Sequence, residues 1–308
     1  MAHTEFQLFK NNKVIRELDN LGFAQKQRLA YIDFKLMFVG HMNRAELVAY
    51  FEQGLSSATR DINLYKNLAP SNMKYDPRDK RYYQSDKFQP LFEHDPKKIL
   101  VKLCHDITDG FDVIGDVTFP IEAPSQLNIP DIWIVAKLVQ AVINKKAVNV
   151  RYTSLSSGSS SRDIIPHSIV DNGLRWHVRA YDRKSQSFRD FVLTRITKVT
   201  IKESEVTPEE EKLEDHQWMR MMPLHLVPHP AVEHPTAIAL DYAMTDGVLE
   251  LKVRAALAGY LLRRWNVDCT ANASLKGGEY QLWLSNQQTL YGAENLAIAP
   301  GYKEEDGK

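Results

Sequence analysis

Residues 43–68 read NRAELVAYFEQGLSSATRDINLYKNL, and the fold of the N-terminal part turns on them. Asn43 is a good N-cap, so a helix is expected from Arg44 to Gln53. Gly54 is expected to end it, as glycine does just past a helix C-terminus. Ser56 and Ser57 offer the next N-cap, and a further helix runs to Leu68, ahead of Ala69-Pro70. In that helix Ala58, Ile62 and Tyr65 share one side, suited to packing. Ser56, Arg60, Asn63 and Asn67 share another, at steps of four, three and four. Two helices across a tight turn, the second with a polar outer face, make a helix-turn-helix.

Upstream, residues 5–20 and 25–40 carry helical spacing, with Leu29, Ile32, Leu36 and Val39 on one face, before a break at Gly40-His41-Met42. Downstream, Met73-Lys74-Tyr75 and Arg81-Tyr82-Tyr83 flank Asp76-Pro77-Arg78-Asp79-Lys80, which predicts a hairpin. A helix-turn-helix followed by such a hairpin is a winged helix, assigned to residues 1–92. Its chemistry points to double-stranded DNA. Arg pairs with guanine O6 and N7, and Asn with adenine N6 and N7, from a helix in the major groove. Ser56, Ser57, Thr59, Arg60 and Asn63 are the candidate helix contacts, and Lys74, Arg78, Lys80 and Arg81 the wing contacts. A connecting helix over 94–110 (Ile99, Leu100, Leu103, Ile107) and a Pro-bearing linker over 115–130 fill residues 93–131.

A second unit spans 132–205. Val135, Leu138, Val139 and Val142 predict a helix ending at Lys145-Lys146. Short strands follow at 148–153, 162–165, 167–170, 176–181, 188–193 and 196–201, with a hairpin tip at Ser154–Ser161 and a turn at Asp171-Asn172-Gly173. Strands at this spacing predict a small β-barrel. Residues 206–235 are acidic and then Pro- and His-rich, and read as a linker. Residues 236–308 read as a small α+β domain, with a helix at Ala255–Trp265 and a hairpin at Lys276-Gly277-Gly278.

The 308 residues are 44% hydrophobic and 25% charged, which excludes a wholly disordered chain. The N-terminus lacks the pattern of a secretory signal, and no apolar run is long enough to span a membrane. Two cysteines, Cys104 and Cys269, cannot build a disulfide framework, so the expected setting is reducing and cytoplasmic. Lys+Arg and Asp+Glu are both 39, but the balance is local. Residues 1–90 carry 14 basic and 10 acidic side chains, +4. Residues 145–202 carry 12 and 4, +8, whereas residues 203–235 carry 2 and 8, −6. A basic middle segment suits an anionic ligand.

Gly173-Leu174-Arg175-Trp176-His177-Val178-Arg179-Ala180-Tyr181-Asp182, with Phe188-Arg189 and Arg195-Ile196 behind it, resembles the WYL domain. The family's Trp-Tyr-Leu is Trp176-His177-Val178 here, so the tyrosine and leucine are replaced. Ser56-Ser57-Ala58-Thr59-Arg60-Asp61 is similar to the recognition-helix start of DeoR-like regulators. The domain order resembles WYL-domain transcription factors, most of all the BrxR/CapW regulators that accompany phage-defence operons. The resemblance implies a multidomain α+β protein with an Sm-like barrel and a ligand-responsive homodimeric repressor of its own defence operon. It further implies an inverted-repeat operator and a nucleotide-like or oligonucleotide ligand. Tyr152, Ser154, His167, His177, Arg179, Arg189 and Arg195 are the candidate ligand residues, supplying stacking, hydrogen bonds and fixed charge. Strand alternation puts Trp176 in the core and His177 with Arg179 on a cleft or surface.

No cofactor, metal site or catalytic residue is expected. His216, His225, His229 and His234 lack metal-ligand spacing, and no serine sits in a nucleophile elbow. Two other classes stay open: a nucleic-acid-processing accessory enzyme using the basic barrel, and an interaction module that does not bind DNA.

Overall fold

The computed structural model describes residues 12–94 and 129–303. The expected connecting helix over 94–110 and most of the 115–130 linker lie outside them. The N-terminal unit begins with α1 (Asn12–Asp19) and α2 (Phe23–Phe34). A single π-turn, Lys35–Val39, extends α2. That wider turn shifts the phase of the buried face. Leu29, Ile32 and Leu36 are fully buried as expected, but Met37 and Phe38 take the place expected for Val39. Gly40, at φ 88°, closes the turn in a conformation that favours glycine. The break expected at 40–42 is in fact a strand, β1 (His41–Asn43), with Met42 turned inward.

Asn43 caps α3 (Arg44–Phe51): its Oδ1 accepts the Glu46 amide at 2.9 Å. Glu52, at φ 48°, ends this helix, and Gly54 instead occupies the extended N-cap position of α4 (Leu55–Leu68). Ser56 and Ser57 therefore lie in the first turn of α4 rather than capping it. β2 (Met73–Asp76) and β3 (Arg81–Gln84) form the wing, and β1 joins them in the order β1-β3-β2.

α4 is held by buried polar groups as well as apolar contact. The Asp33 carboxylate, fully buried on α2, accepts the Tyr65 hydroxyl and the Leu91 and Phe92 amides (3.1 and 3.2 Å). Asn72 donates to Tyr65 Oη at 3.0 Å and to the Gln89 carbonyl at 2.7 Å. Satisfied buried networks of this kind fix geometry, because breaking one member strands the others. Burial and the neighbouring Asp33 push the Tyr65 phenol well up, so it stays a donor.

The middle unit starts at α5 (Ile132–Ile143), capped by Asp131, whose Oδ1 accepts the Trp133 and Ile134 amides at 2.8 and 3.2 Å. Five strands follow: β4 (Val148–Ser154), β5 (Gly158–Asp171), β6 (Trp176–Asp182), β7 (Ser187–Val192) and β8 (Ile196–Ile201). The two strands expected over 162–170 are one strand, β5, with a register shift between Pro166 and Ser168. A proline lacks the ladder N–H, so a bulge there is the local solution. The sheet order is β7-β6-β5-β4-β8. β7 and β8 lie at opposite ends yet are separated only by the 3-10 turn Leu193–Arg195, so the sheet must coil strongly. It does not close: no ladder joins β7 to β8 among the described residues. Closure would need a tight reversal, and the 3-10 turn instead redirects the chain to the far edge of β4.

α5 serves two units at once. Its Val135, Leu138 and Ala141 are fully buried. Gln140 Nε2 donates to the Met37 carbonyl at 2.5 Å, and Asn144 Nδ2 to that of Val39 at 2.9 Å. One apolar core therefore runs from Val14 through α5 to Val199.

The stretch 206–235, expected as a linker, carries much of the next unit. Two 3-10 turns (Pro208–Glu210, Lys212–Glu214) and α6 (His216–Met219) lead into β9 (Met221–Pro228). β9 is the central strand of a sheet ordered β10-β9-β11, with β10 at Leu249–Arg254 and β11 at Leu282–Leu284. α7 (Pro235–Asp241) and α8 (Ala255–Arg264) flank it. Lys276-Gly277-Gly278 makes no hairpin, because β11 pairs with β9. A second core forms around Met222, Leu224, Leu226 and Leu262. A small apolar contact, Val170, Trp218 and Ala256 with Leu257, links it to the five-stranded sheet.

Candidate DNA interface and anion site

The outer face of α4 is built as expected. Ala58, Ile62 and Tyr65 are buried, while Ser56, Arg60, Asn63 and Asn67 are exposed. The neighbours Arg60 and Asp61 point opposite ways. Asp61, 2% exposed, accepts Arg28 Nε at 2.7 Å, which pins α4 to α2. Arg60 has no hydrogen bond or ion pair with the described residues, so its guanidinium is free for an external acceptor. Thr59 is spent internally: its hydroxyl donates to the Leu55 carbonyl at 2.9 Å and accepts Arg44 at 3.1 Å. Ser57 donates to Gln53 at 2.8 Å.

In the wing, Lys74 and Lys80 are exposed without a partner among the described residues. Arg78 is forked onto Asp76, with Nη2 at 2.7 Å, and that pairing holds the Asp76 carboxyl below its ordinary value. Arg81 Nη1 lies 3.5 Å from His41 Nε2. Burial and the Arg81 charge together lower the His41 pKa, leaving the ring neutral beside the wing.

The seven candidate ligand residues of the middle unit separate into four places. Ser154 sits at the hairpin tip, 3.1 Å from the Ser156 hydroxyl. Arg189 is exposed on β7, with Nε on the Ser185 hydroxyl at 2.8 Å. Tyr152 is turned inward, edge-on to Phe191 at 5.1 Å. The other four lie toward the C-terminal unit. Arg195 is half-buried without a partner among the described residues. The His177 ring lies 5.2 Å from that of Tyr260 on α8.

Arg179 and His167 meet in one buried cluster. Arg179 Nε and Nη2 donate to Asp215 at 2.8 and 3.0 Å, and Nη1 to Asp190 at 3.4 Å. His167 Nε2 lies 3.1 Å from Asp215 Oδ2. Tyr260 donates to Asp190 at 3.1 Å, and Asn295 does so at 3.2 Å. Burial alone would raise the Asp215 carboxyl. The hydrogen bonds from His167 and Arg179 win and hold it far below the carboxylate range. The expected open placement of His177 and Arg179 is thus corrected: they are 6% and 1% exposed. The sheet face they share with Val170 is covered by α6 and α8. Trp176, expected as core, is only partly buried at its edge.

Among the described residues no group of His, Cys, Asp and Glu is placed to hold a metal ion, and no helix is long and apolar enough to cross a membrane. His229 lies 3.1 Å from Asp268.

A winged helix shares its core with a coiled five-stranded sheet and is followed by an α+β unit, and the family models for the first and last of these parts are those of transcriptional regulators. Family models agree domain by domain. Residues 24–103 match the BrxR transcriptional regulator winged helix-turn-helix domain, 134–201 the WYL domain, and 221–290 the BrxR transcriptional regulator C-terminal dimerization domain. The chain is 32% identical to the DNA-binding transcriptional repressor CapW of Escherichia coli (strain KTE188), over 87% of this chain and 91% of that protein. CapW of Stenotrophomonas maltophilia is 31% identical over 81% and 85%, and that of Pseudomonas aeruginosa 30% over 87% and 91%. The chain belongs to this BrxR/CapW family of winged-helix, WYL-domain transcriptional regulators. A solved structure of proteasome accessory factor B/C of Arthrobacter aurescens aligns over 77% of this chain and 44% of that one, at 16% identity and a TM-score of 0.24.

Proposed function

We propose that the protein is a homodimeric DNA-binding repressor of its own phage-defence operon, released by a nucleotide-like or oligonucleotide anion at the basic WYL sheet. One observation carries the DNA reading. α4 is locked by Asp33, Tyr65, Asn72 and the Arg28–Asp61 pair, yet its opposite face presents Arg60, Asn63 and Ser56 unpaired. A rigid helix with a free polar face is what base-edge recognition requires. The relatives named as DNA-binding repressors support the same reading. Two copies joined through the C-terminal unit would double the phosphate contacts and read an inverted repeat. The test is a gel-shift titration against the DNA upstream of the protein's own gene, with scrambled competitor, at two salt concentrations. Selective, salt-weakened binding is expected, and Arg60→Ala should weaken it by about 1–3 kcal/mol and relax preference at one base position. Equal affinity for operator and scrambled DNA would contradict the proposal.

A further inference from the structure

The +8 charge of residues 145–202 is not presented to solvent as a block. The acidic chain that follows folds back over it. Residues 203–215 hold seven carboxylates and one lysine. Glu203 pairs with Lys146 at 2.8 Å, and Glu211 lies 4.0 Å from Lys145. Glu210 takes the whole fork of Arg183, at 2.6 Å from Nε and 2.7 Å from Nη2. The same guanidinium also reaches the Glu205 carbonyl and the Ser204 hydroxyl. Asp215 takes the fork of Arg179 and meets His167. Bidentate capture of a guanidinium by two oxygens is also the geometry of a phosphate. Two arginine forks, that of Arg179 on β6 and that of Arg183 in the turn after it, are therefore filled by this chain's own carboxylates.

Resting on the anion-sensing reading above, we propose that residues 203–215 are a tethered acidic strap that occupies the basic sheet in place of an external phosphodiester chain, which binds by displacing it. Free cations remain to receive such a chain. Arg151 and Lys198 stand opposite one another on β4 and β8, both exposed and without partners among the described residues. Like charges placed so repel until an anion lies between them. The strap is graded along its length. Glu203 and Glu211 side chains are 85% and 47% exposed and detach readily, whereas Glu210 and Asp215 are 8% and 2% exposed. Its last residue, Asp215, also accepts the Trp218 amide at the start of α6, so strap displacement pulls on the contact between α6 and α8. A ligand acts only through such a difference between two states.

The test uses full-length protein and a fluorescein-labelled single-stranded oligothymidylate of about twelve nucleotides. Its affinity is measured by anisotropy for the native chain and for Glu203→Gln, Glu210→Gln and Glu211→Gln combined. The expected gain is about tenfold or more, since an internal competitor has been weakened. Should the triple variant fail to fold, Glu203→Gln with Glu211→Gln alters exposed side chains only and should still tighten binding. In the native protein, the probe should speed hydrogen exchange at the amides of residues 208–219. Equal or weaker binding by the strap variants, or unchanged exchange on a probe that binds, overturns the strap while leaving anion sensing intact. No binding by any variant overturns anion sensing, and the strap with it.

Discussion

The two joints of the molecule are made of different material. Between the winged helix and the WYL sheet lies α5, and the contact is a continuous apolar core with two helix side chains, Gln140 and Asn144, sealing the π-turn carbonyls. Between the WYL sheet and the C-terminal unit lies a small apolar contact beside a buried ionic cluster, Arg179 with Asp215, Asp190 and His167. Apolar packing is non-directional and resists opening in proportion to area. A buried ionic contact is directional, and a competing charge can replace it. The comparison assigns rigidity to the DNA-reading end and adjustability to the end that meets the partner subunit. Small changes at the ionic joint would then alter the spacing of two recognition helices without deforming either.

The largest effect should come from Asp215→Ala. Arg179 would stay buried without its main partner, which destabilises by about 3–5 kcal/mol in denaturant titrations. Replacing both residues, Arg179→Met with Asp215→Leu, should recover most of that loss. A silent Asp215→Ala would break the ionic account of this joint. Leu138→Ala on α5 tests the other joint. It should lose about 2–5 kcal/mol, and the unfolding signals of the winged helix and the sheet should shift together. A shift in one alone would show that they are separate bodies.

Gly259→Ala sharpens the contrast from within the C-terminal unit. A Cβ there would lie 2.2 Å from the Asn295 carbonyl oxygen, so backbone must move. A loss of about 1–3 kcal/mol is expected, confined to the unit beyond the ionic joint. Operator contacts by an isolated protomer should be unaffected, as read by the salt slope of DNA binding.

The smallest effect concerns pH. Burial holds His177 below its ordinary pKa, against the opposing pull of Asp190. The unfolded chain therefore takes up this proton first as pH falls. The contribution of neutral His177 is complete above the unfolded value of about 6.5 and declines as pH drops below it. Asp215, with its depressed carboxyl, acts only at far lower pH, where stability is lost as it protonates. His177→Phe should thus reduce the drop in melting midpoint between about pH 7.5 and about pH 5.5. His41, lowered by burial and Arg81 in the winged helix, should preserve part of it. An unchanged drop would remove His177 from the account.

Local chemistry explains what could be read from the chain. The Asn43 cap, the split of α4 into a packing face and a free face, and the wing all rest on contacts within a few residues, where periodicity and capping speak clearly. The π-turn was hidden because its wide turn breaks the 3.6-residue period that the eye follows. β1 is three residues long, so its single inward residue, Met42, is too little alternation to mark a strand. β9 was masked by Pro223 and Pro228, which argue against a central strand, although Met222, Leu224 and Leu226 alternate cleanly inward. Arg179 was misplaced for a different reason. Its partner Asp215 lies 36 residues further on, and only the tertiary fold brings a second layer over that face of the sheet. The acidic run was legible as charge, but not as the counter-charge of the basic run before it.

Native-state hydrogen exchange across mild denaturant tests the comparison most directly. If the winged helix and WYL sheet are one body, amides of α2, α4, α5 and β4–β6 should converge on a single opening free energy, with α6, α8 and β9 on a different one. Opening of α2 and α4 well below that of α5 and the sheet would contradict it, placing the adjustable joint at the DNA-reading end instead.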